Sequence, residues 1–428
     1  MAAKIHVERM MHRSSIAVPG ESAASYALIK LIPGGLGGAS KPMGLNLALV
    51  LDMSGSMYEE DGTNVSRLKR VQDAALAAIQ KLKADDSLTI VAFANNALVV
   101  LPPTKLAEKE KIENAIKNIE MNDIDPGGTA MNDGMRIALD EVEKLAGPGR
   151  LSQVVVLTDG ETSGAQECRK LAERAAKSKI HLTMMGVGID WKADLIKDLA
   201  KTSEGKWYYI DVNEQKEAER IFMEEFETLA ATGFMNVEIH LRPMKDIKIK
   251  RVRQVVPEIK ELTMTEPEER HLMAPIGSLQ KDQSARFVLD LSLPKRPDGK
   301  YVIAQMEITY DLGMGTRESS GMIPIEVTYT AAGQGYVNAE VMKHIDEVQL
   351  KELNDVLQKN IAQDNKEEIQ KVAQQIEQKG QLMGPRAAKK TMLAKQVLQE
   401  LNTGGRVSKK TQLAMDDSAR MAEEMPVN

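Results

Sequence analysis

The sequence predicts an α/β chain in which a doubly wound, mostly parallel sheet is inserted into an antiparallel β-sandwich and followed by a C-terminal helical bundle or arm. Three observations carry this prediction. From Leu45 to about Ala231, short uncharged apolar runs alternate with helical periodicity, as strands buried on both faces do when helices cover them. From Phe234 to Thr330 the apolar period falls to two, the pattern of strands with one face in a core. After Gly335 the chain turns rich in Gln, Lys and Glu at helical spacing. The implied divisions are 1–43 (strands that complete the sandwich), 44–231 (the α/β domain), 232–333 (the sandwich) and 334–428 (the helical region).

In the α/β stretch, Leu45 to Leu51 is apolar at nearly every position and reads as a buried strand. Leu68, Val71, Ala75, Ile79 and Leu82 recur at spacings of three and four, which makes the next element a helix. Asp85-Asp86 closes it. Leu88 to Phe93 is the second strand, with Ala97 to Leu101 pairing beside it. Leu106 to Ile119 and Asn132 to Leu145 have helical period. Val154 to Leu157, His181 to Gly186 and Lys206 to Ile210 are further strands, joined by crossover helices over Cys168 to Ser178 and Ala193 to Thr202. A long acidic helix from Asn213 to about Leu229 closes the unit.

In the sandwich, Phe287, Leu289, Leu291 and Leu293 alternate with polar residues, as do Val302, Ala304, Met306, Ile308 and Tyr310, and Ile323, Ile325, Val327 and Tyr329. Ser15 to Pro33 is strand-like but too short to bury itself, so it is expected to complete this sandwich. Four helices follow at about Asn338 to Lys359, Asp364 to Lys379, Arg386 to Leu401 and Lys409 to Glu424. Gly380, Gly384-Pro385 and Gly404-Gly405 mark the breaks.

Composition narrows the function classes. A chain of 428 residues exceeds one ordinary core. A net charge of −6 argues against wholesale electrostatic binding to nucleic acid or anionic lipid. The lone Cys168 excludes an intramolecular disulfide and favours a reducing compartment. No uncharged apolar run approaches the roughly 20 residues that cross a bilayer, and the start MAAKIHVERMMHRSS lacks a signal-peptide core. The expectation is a cytoplasmic protein without a membrane span.

The chemistry-bearing residues fall in three loops. The first buried strand ends in Asp52-Met53-Ser54-Gly55-Ser56. Gly127-Gly128-Thr129 precedes a helix, and Leu157-Thr158-Asp159-Gly160 ends the fourth strand. Loops at the carboxyl ends of strands in an open α/β sheet share one crevice. Ser54, Ser56 and Thr129 offer hydroxyl oxygens there, and Asp52 and Asp159 offer carboxylates. All-oxygen ligation selects a hard cation such as Mg²⁺. With neutral hydroxyls filling its inner shell, the ion would still accept one more anionic oxygen, such as a partner's Asp or Glu. Gly55 and Gly127-Gly128 supply the turns.

These three pieces, DxSxS, a Thr in a GGT loop and TDG, resemble the metal-ion-dependent adhesion site of von Willebrand factor A domains, in that family's order and approximate spacing. The resemblance covers about Leu45 to Ala231. It implies a Rossmann-like domain that binds Mg²⁺, or Mn²⁺ or Ca²⁺ in some members, and grips protein ligands through it. The wider layout resembles that of bacterial and plant proteins similar to inter-alpha-trypsin inhibitor heavy chains.

Other features carry weaker expectations. Glu59, Glu60, Asp61, Asp125, Asp133 and Glu161 make the crevice rim acidic, either a solvated surface, a place for a second cation or a filter against wrong partners. Cys168 reads as a small buried hydrophobe. Trp207-Tyr208-Tyr209 reads as core and edge packing, and the six histidines show no metal-ligand spacing. The basic stretch Lys379, Arg386, Lys389, Lys390, Lys395, Arg406, Lys409 and Lys410 lacks interleaved aromatics and suggests intramolecular or protein contacts. Met392, Met415, Met421 and Met425 read as core or as an adaptable docking face.

The function expected is a non-enzymatic, Mg²⁺-dependent scaffold or adaptor that coordinates a partner's carboxylate. A second reading is an adaptor or regulator of a separate AAA+ ATPase of the MoxR-like or chelatase-like kind, since the chain has no phosphate-binding GxxxxGK[ST] loop of its own. A Mg²⁺-dependent hydrolase is the third. It is disfavoured because no His, Lys or Cys accompanies the motifs as a general base.

Overall fold

A computed structural model describes residues 4–421 apart from 19–22, 35–43, 61–63, 148, 160–161, 163, 189–191, 212–213, 215, 282, 313–315 and 334. Its contacts divide the chain into two compact units. One comprises residues 36–236 and 311–317, and the other residues 1–35, 237–310 and 318–428.

The second unit begins with strands β1 (Lys4–Met11), β2 (Ile16–Ala17) and β3 (Ala23–Gly34). The alternation of Ile5 and Val7, buried, with exposed Lys4 and His6 makes β1 a strand, and its register places Lys4 opposite Gly34 on β3. The strand-like pattern in the sequence starts at Ser15, and β1 is a further strand ahead of it.

The first unit holds a six-stranded sheet. Its strands are β4 (Gly44–Asp52), β5 (Ser87–Phe93), β6 (Ala97–Lys105), β7 (Arg150–Thr158), β8 (His181–Val187) and β9 (Trp207–Ile210). The spatial order is β6-β5-β4-β7-β8-β9, with β6 antiparallel at one edge and the other neighbours parallel. Six helices accompany it: α1 (Arg67–Ala78), α2 (Lys109–Lys117), α3 (Met131–Glu143), α4 (Ala165–Lys177), α5 (Ala193–Thr202) and α6 (Glu217–Ala231). The single helix expected over Leu106 to Ile119 is shorter, with tight turns at Leu106–Glu108 and Ile119–Met121 flanking α2. Such turns commonly finish helix ends.

Alternate residues of β4 serve opposite faces. Leu45, Leu47, Leu49 and Leu51 join Val71 and Ala75 of α1, Ile79 just beyond its end, and Phe222 and Phe226 of α6 in one buried cluster. Each such large side chain contributes roughly 1.5–3 kcal/mol by leaving water. The chain passes from β4 to β5 on one side and later returns to β7 on the other. The reversal of strand order therefore falls at β4, where an open sheet leaves a crevice beyond the strands' carboxyl ends.

A buried carboxylate pins α6 to the sheet. Glu225 accepts hydrogen bonds from Gln153 Nε2 (2.7 Å), Thr183 Oγ1 (2.7 Å), Tyr208 Oη (2.8 Å) and Lys206 Nζ (3.0 Å). Burial alone would raise its pKa, but the Lys206 charge and these hydrogen bonds outweigh that and hold it below the usual carboxylate value. This bond also accounts for the aromatic run: Tyr208 is buried against Glu225, whereas Lys197 lies over the half-buried ring of Trp207.

The second unit continues through β10 (Thr232–Pro243) from Val237 on, β11 (Lys248–Val256), β12 (Lys260–Glu261), β13 (Thr265–Glu268), β14 (His271–Gln280), β15 (Ala285–Leu293), β16 (Gly299–Leu312) as far as Tyr310, β17 (Thr316–Ser319) from Glu318 on, and β18 (Ile323–Thr330). They build two sheets, β1-β3-β15-β11-β12 and β13-β14-β10-β16-β18-β2, with β17 on β16. β3 pairs with β15 over Ala23 to Leu31, so strands from both sides of the α/β segment share a sheet.

Helices α7 (Ala339–Ala362), α8 (Lys366–Met383), α9 (Ala388–Gly404) and α10 (Lys409–Arg420) follow and belong to this same unit. Val341, Ile345 and Val348 of α7 pack on Leu28, Val255 and Val288. Arg253 contacts Asp290 and lies 2.8 Å from Glu352, while Arg420 meets Glu258 at 2.9 Å. Much of the basic stretch is spent within the unit. Lys379 pairs with Asp346, Lys395 with Glu377 and Arg406 with Asp364, and buried Lys390 donates to the Met421 carbonyl. Met415 is core and Met392 exposed, whereas Met425 lies outside the described residues. Among the described residues, no helix is long and apolar enough to cross a membrane.

Replacing Glu225 by Ala strands Lys206, Gln153 and Tyr208 around an empty site. A loss of about 3–5 kcal/mol in chemical denaturation is expected, and stability unchanged within error would contradict the pinning role.

Candidate metal centre

Register brings the two acidic motifs together. Leu51 on β4 pairs with Leu157 on β7, which sets Asp52 level with Thr158 at the ends of adjacent strands. Thr158 Oγ1 donates to Asp52 Oδ2 at 2.6 Å, and the Ser54 amide donates to Asp52 Oδ1 at 2.8 Å. Ser54 Oγ lies 3.3 Å from Ser56 Oγ, which in turn donates to Asp159 Oδ1 at 2.8 Å. Asp52, Ser54, Ser56 and Asp159 thus form one continuous hydrogen-bonded group. Asp52, Ser54 and Asp159 are buried and Ser56 is half-buried.

The third motif reaches the same place by its backbone. Gly55 N donates to the Pro126 carbonyl at 3.1 Å, Asn95 N to Asp125 at 2.9 Å, and Ala130 N to Ala94 at 2.5 Å. The loop carrying Gly127-Gly128-Thr129 is therefore tied to the ends of β4 and β5. Gly128 is required there, because a Cβ would stand 2.9 Å from Asn95 Oδ1 and 3.2 Å from its Cα. Thr129 is half-buried in this loop, and among the described residues no hydrogen bond joins it to the other four.

Sequence reasoning missed two members of the group. Thr158 was visible within TDG but had no role until the register placed it against Asp52. Arg67, the first residue of α1, sends Nη1 to Asp159 Oδ2 at 2.6 Å and Nη2 toward Glu59 at 3.3 Å. No motif spacing announces it. The acidic rim resolves into local contacts: Asp125 accepts from Asn95 Nδ2 and Gly127 N, and Asp133 lies 3.4 Å from Arg136. Glu60 is exposed, and Asp61 and Glu161 lie outside the described residues. None of the six histidines joins the group. Cys168 is buried within α4, and burial pushes its thiol up to about 12, which makes it inert at neutral pH.

The donor set fits a hard divalent ion. Adjacent oxygens around an octahedral Mg²⁺ sit about 2.9 Å apart, and the Ser54–Ser56 and Ser56–Asp159 spacings of 3.3 and 2.8 Å bracket that value. Asp52 adds a charge argument. Burial first, and the nearby charge of Asp159 as well, push its carboxyl up to about 6 against the hydrogen bonds that favour ionisation. A cation beside it would reverse that cost.

Residues 47–161 match the model of the von Willebrand factor type A domain family. The chain carries a von Willebrand factor type A domain. A solved von Willebrand factor type A protein from Catenulispora acidiphila superposes with a TM-score of 0.80 over 98% of this chain and 97% of its own, at 14% identity. The ArnB paralog VWA2 from Sulfolobus acidocaldarius gives a TM-score of 0.57 over 97% and 98%, at 16% identity. At these identities the likeness is one of fold. An uncharacterised protein of Synechocystis is 33% identical over 275 residues, which is 62% of this chain and 61% of the relative, so this chain spans less than two thirds of that relative's length.

The raised Asp52 pKa sets a pH dependence for the metal-free A domain. The folded state holds its proton more tightly than the unfolded chain does. Stability from this group is therefore lost as pH rises from about 4 through about 6, by about 3 kcal/mol in all. In EDTA at pH 7.5, Asp52→Asn is expected to raise the melting temperature of this unit by several degrees. A lower melting temperature in the variant would contradict the assignment.

Proposed function

We propose that the A domain of this chain binds one divalent cation, Mg²⁺ by preference, through Asp52, Ser54, Ser56, Thr129 and Asp159, and uses it to grip a carboxylate of a protein partner. The observation that carries the reading is the hydrogen-bonded line of Ser54, Ser56 and Asp159 beside buried Asp52. When bound, the ion supplies an electrophilic contact for an anionic oxygen. The protein's own residues do the rest: Thr158 and the Ser54 amide orient Asp52, and backbone bonds from Gly55 and Ala130 tie down the loop that carries Thr129.

Binding, not turnover, is the activity supported. The oxygens gathered here are hydroxyls and two carboxylates already engaged by Ser54, Thr158, Ser56 and Arg67. Among the described residues no His, Lys or Cys enters the group to act as a general base. In this reading the chain is a scaffold or adaptor, and the single buried Cys168 suits a reducing, cytoplasmic setting. The rim favours a carboxylate presented with basic neighbours, since exposed Glu59, Glu60 and Asp125 and half-buried Asp133 would repel a strongly acidic surface.

Affinity capture in Mg²⁺ is expected to retain a protein partner that EDTA releases. The double variant Asp52→Ala, Ser54→Ala should weaken that capture at least about tenfold while the far-UV circular dichroism stays native. Capture indifferent to both treatments would remove the proposal.

A further inference from the structure

Arg67 stands where helix electrostatics alone would not put it. It opens α1, with Ser66 capping the helix by accepting from the Lys69 amide at 3.1 Å. The amino end of a helix carries partial positive charge and disfavours a cation. Yet the Arg67 side chain is only 15% exposed and meets the Asp159 carboxylate, which is fully buried. The contact divides the carboxylate's two oxygens. Oδ1 faces Ser56 at 2.8 Å, and Oδ2 faces Arg67 Nη1 at 2.6 Å. An ion gathered on the Ser56 side therefore has no need to displace the guanidinium. Glu59, on the other guanidinium nitrogen, is 66% exposed, so water screens much of its charge.

We propose that Arg67 is a resident cation of the metal site: it holds Asp159 by its outer oxygen, lowers the affinity for the divalent ion, and leaves the loaded site one charge short of neutrality. This rests on the metal-binding reading above. Asp52 and Asp159 contribute two negative charges and Arg67 one positive, so a divalent ion brings the group to a net charge of +1. A single partner carboxylate completes it. Without Arg67, the two carboxylates alone would neutralise the ion and weaken its attraction for that last ligand. Arg67 is thus a positioning and affinity-setting residue, distinct from the five that offer oxygen to the ion. A unit positive charge a few ångströms from a divalent ion lowers the ion's affinity by about tenfold even in a dielectric close to that of water, and by more in a buried group such as this one.

Mn²⁺ alone is the probe, with free Mn²⁺ read by electron paramagnetic resonance in titrations of the full chain. Arg67→Gln retains an N–H donor for Asp159 but carries no charge, and is expected to bind Mn²⁺ at least about tenfold more tightly than the unaltered chain. Arg67→Met keeps the apolar stem and carries the same expectation should the Gln variant fail to fold. Arg67→Lys restores the charge and should return affinity to within about twofold of the unaltered protein. Equal or weaker Mn²⁺ binding in the neutral variants, or a Lys variant that behaves like them, would overturn the proposal. An unaltered chain that binds no more Mn²⁺ than Asp52→Asn would instead defeat the metal-site reading on which it rests.

Discussion

Two carboxylates held within one buried group, at the ends of neighbouring parallel strands, constrain everything else about this site. Asp52 and Asp159 owe their closeness to the pairing of β4 with β7, not to any attraction between them. Their mutual repulsion and loss of water oppose folding, and the surroundings offset it piecemeal. Thr158 and the Ser54 amide satisfy Asp52, whereas Ser56 and Arg67 satisfy Asp159. Asp52 remains incompletely compensated, since burial and the charge of Asp159 hold its pKa above the usual carboxylate value. Under the proposed reading, a cation beside Asp52 would offset that cost.

The unequal treatment of the two acids has a structural source. Asp52 lies at the end of β4 with strands on both sides and is wholly enclosed. Asp159 comes one residue beyond β7, where the chain has left the sheet and can meet α1. Helix α1 delivers a cation to Asp159 because its first residue faces the crevice. The same sheet is anchored at its far side by Glu225, a buried acid with a lysine and three neutral donors of its own. One domain thus contains a carboxylate fully compensated by protein and another whose compensation is left incomplete.

Much of this was legible in the sequence because it depends on local chemistry. The apolar run Leu45 to Leu51 and the i, i+3, i+4 pattern from Leu68 each announce an element without reference to its neighbours. The three motifs likewise name oxygen donors at strand ends, where α/β topology makes them converge. What escaped is what register and helix orientation decide. Thr158 matters only because Leu51 pairs with Leu157, and Arg67 matters only because α1 begins beside Asp159. In the other unit, β1 was overlooked because Glu8 and Arg9 interrupt its apolar alternation after Val7, and its pairing with β3 supplies what the local pattern lacks.

The central claim is that hydroxyls and two carboxylates from three loops surround one hard ion while Arg67 stays on the outer oxygen of Asp159. A crystal structure grown in Mn²⁺, with anomalous scattering used to locate the metal, tests it most directly. The expected result is a single anomalous peak among Ser54, Ser56 and Thr129, flanked by Asp52 and Asp159, with the guanidinium still in place. A well-ordered crevice with no peak there, in crystals saturated with Mn²⁺, would contradict it.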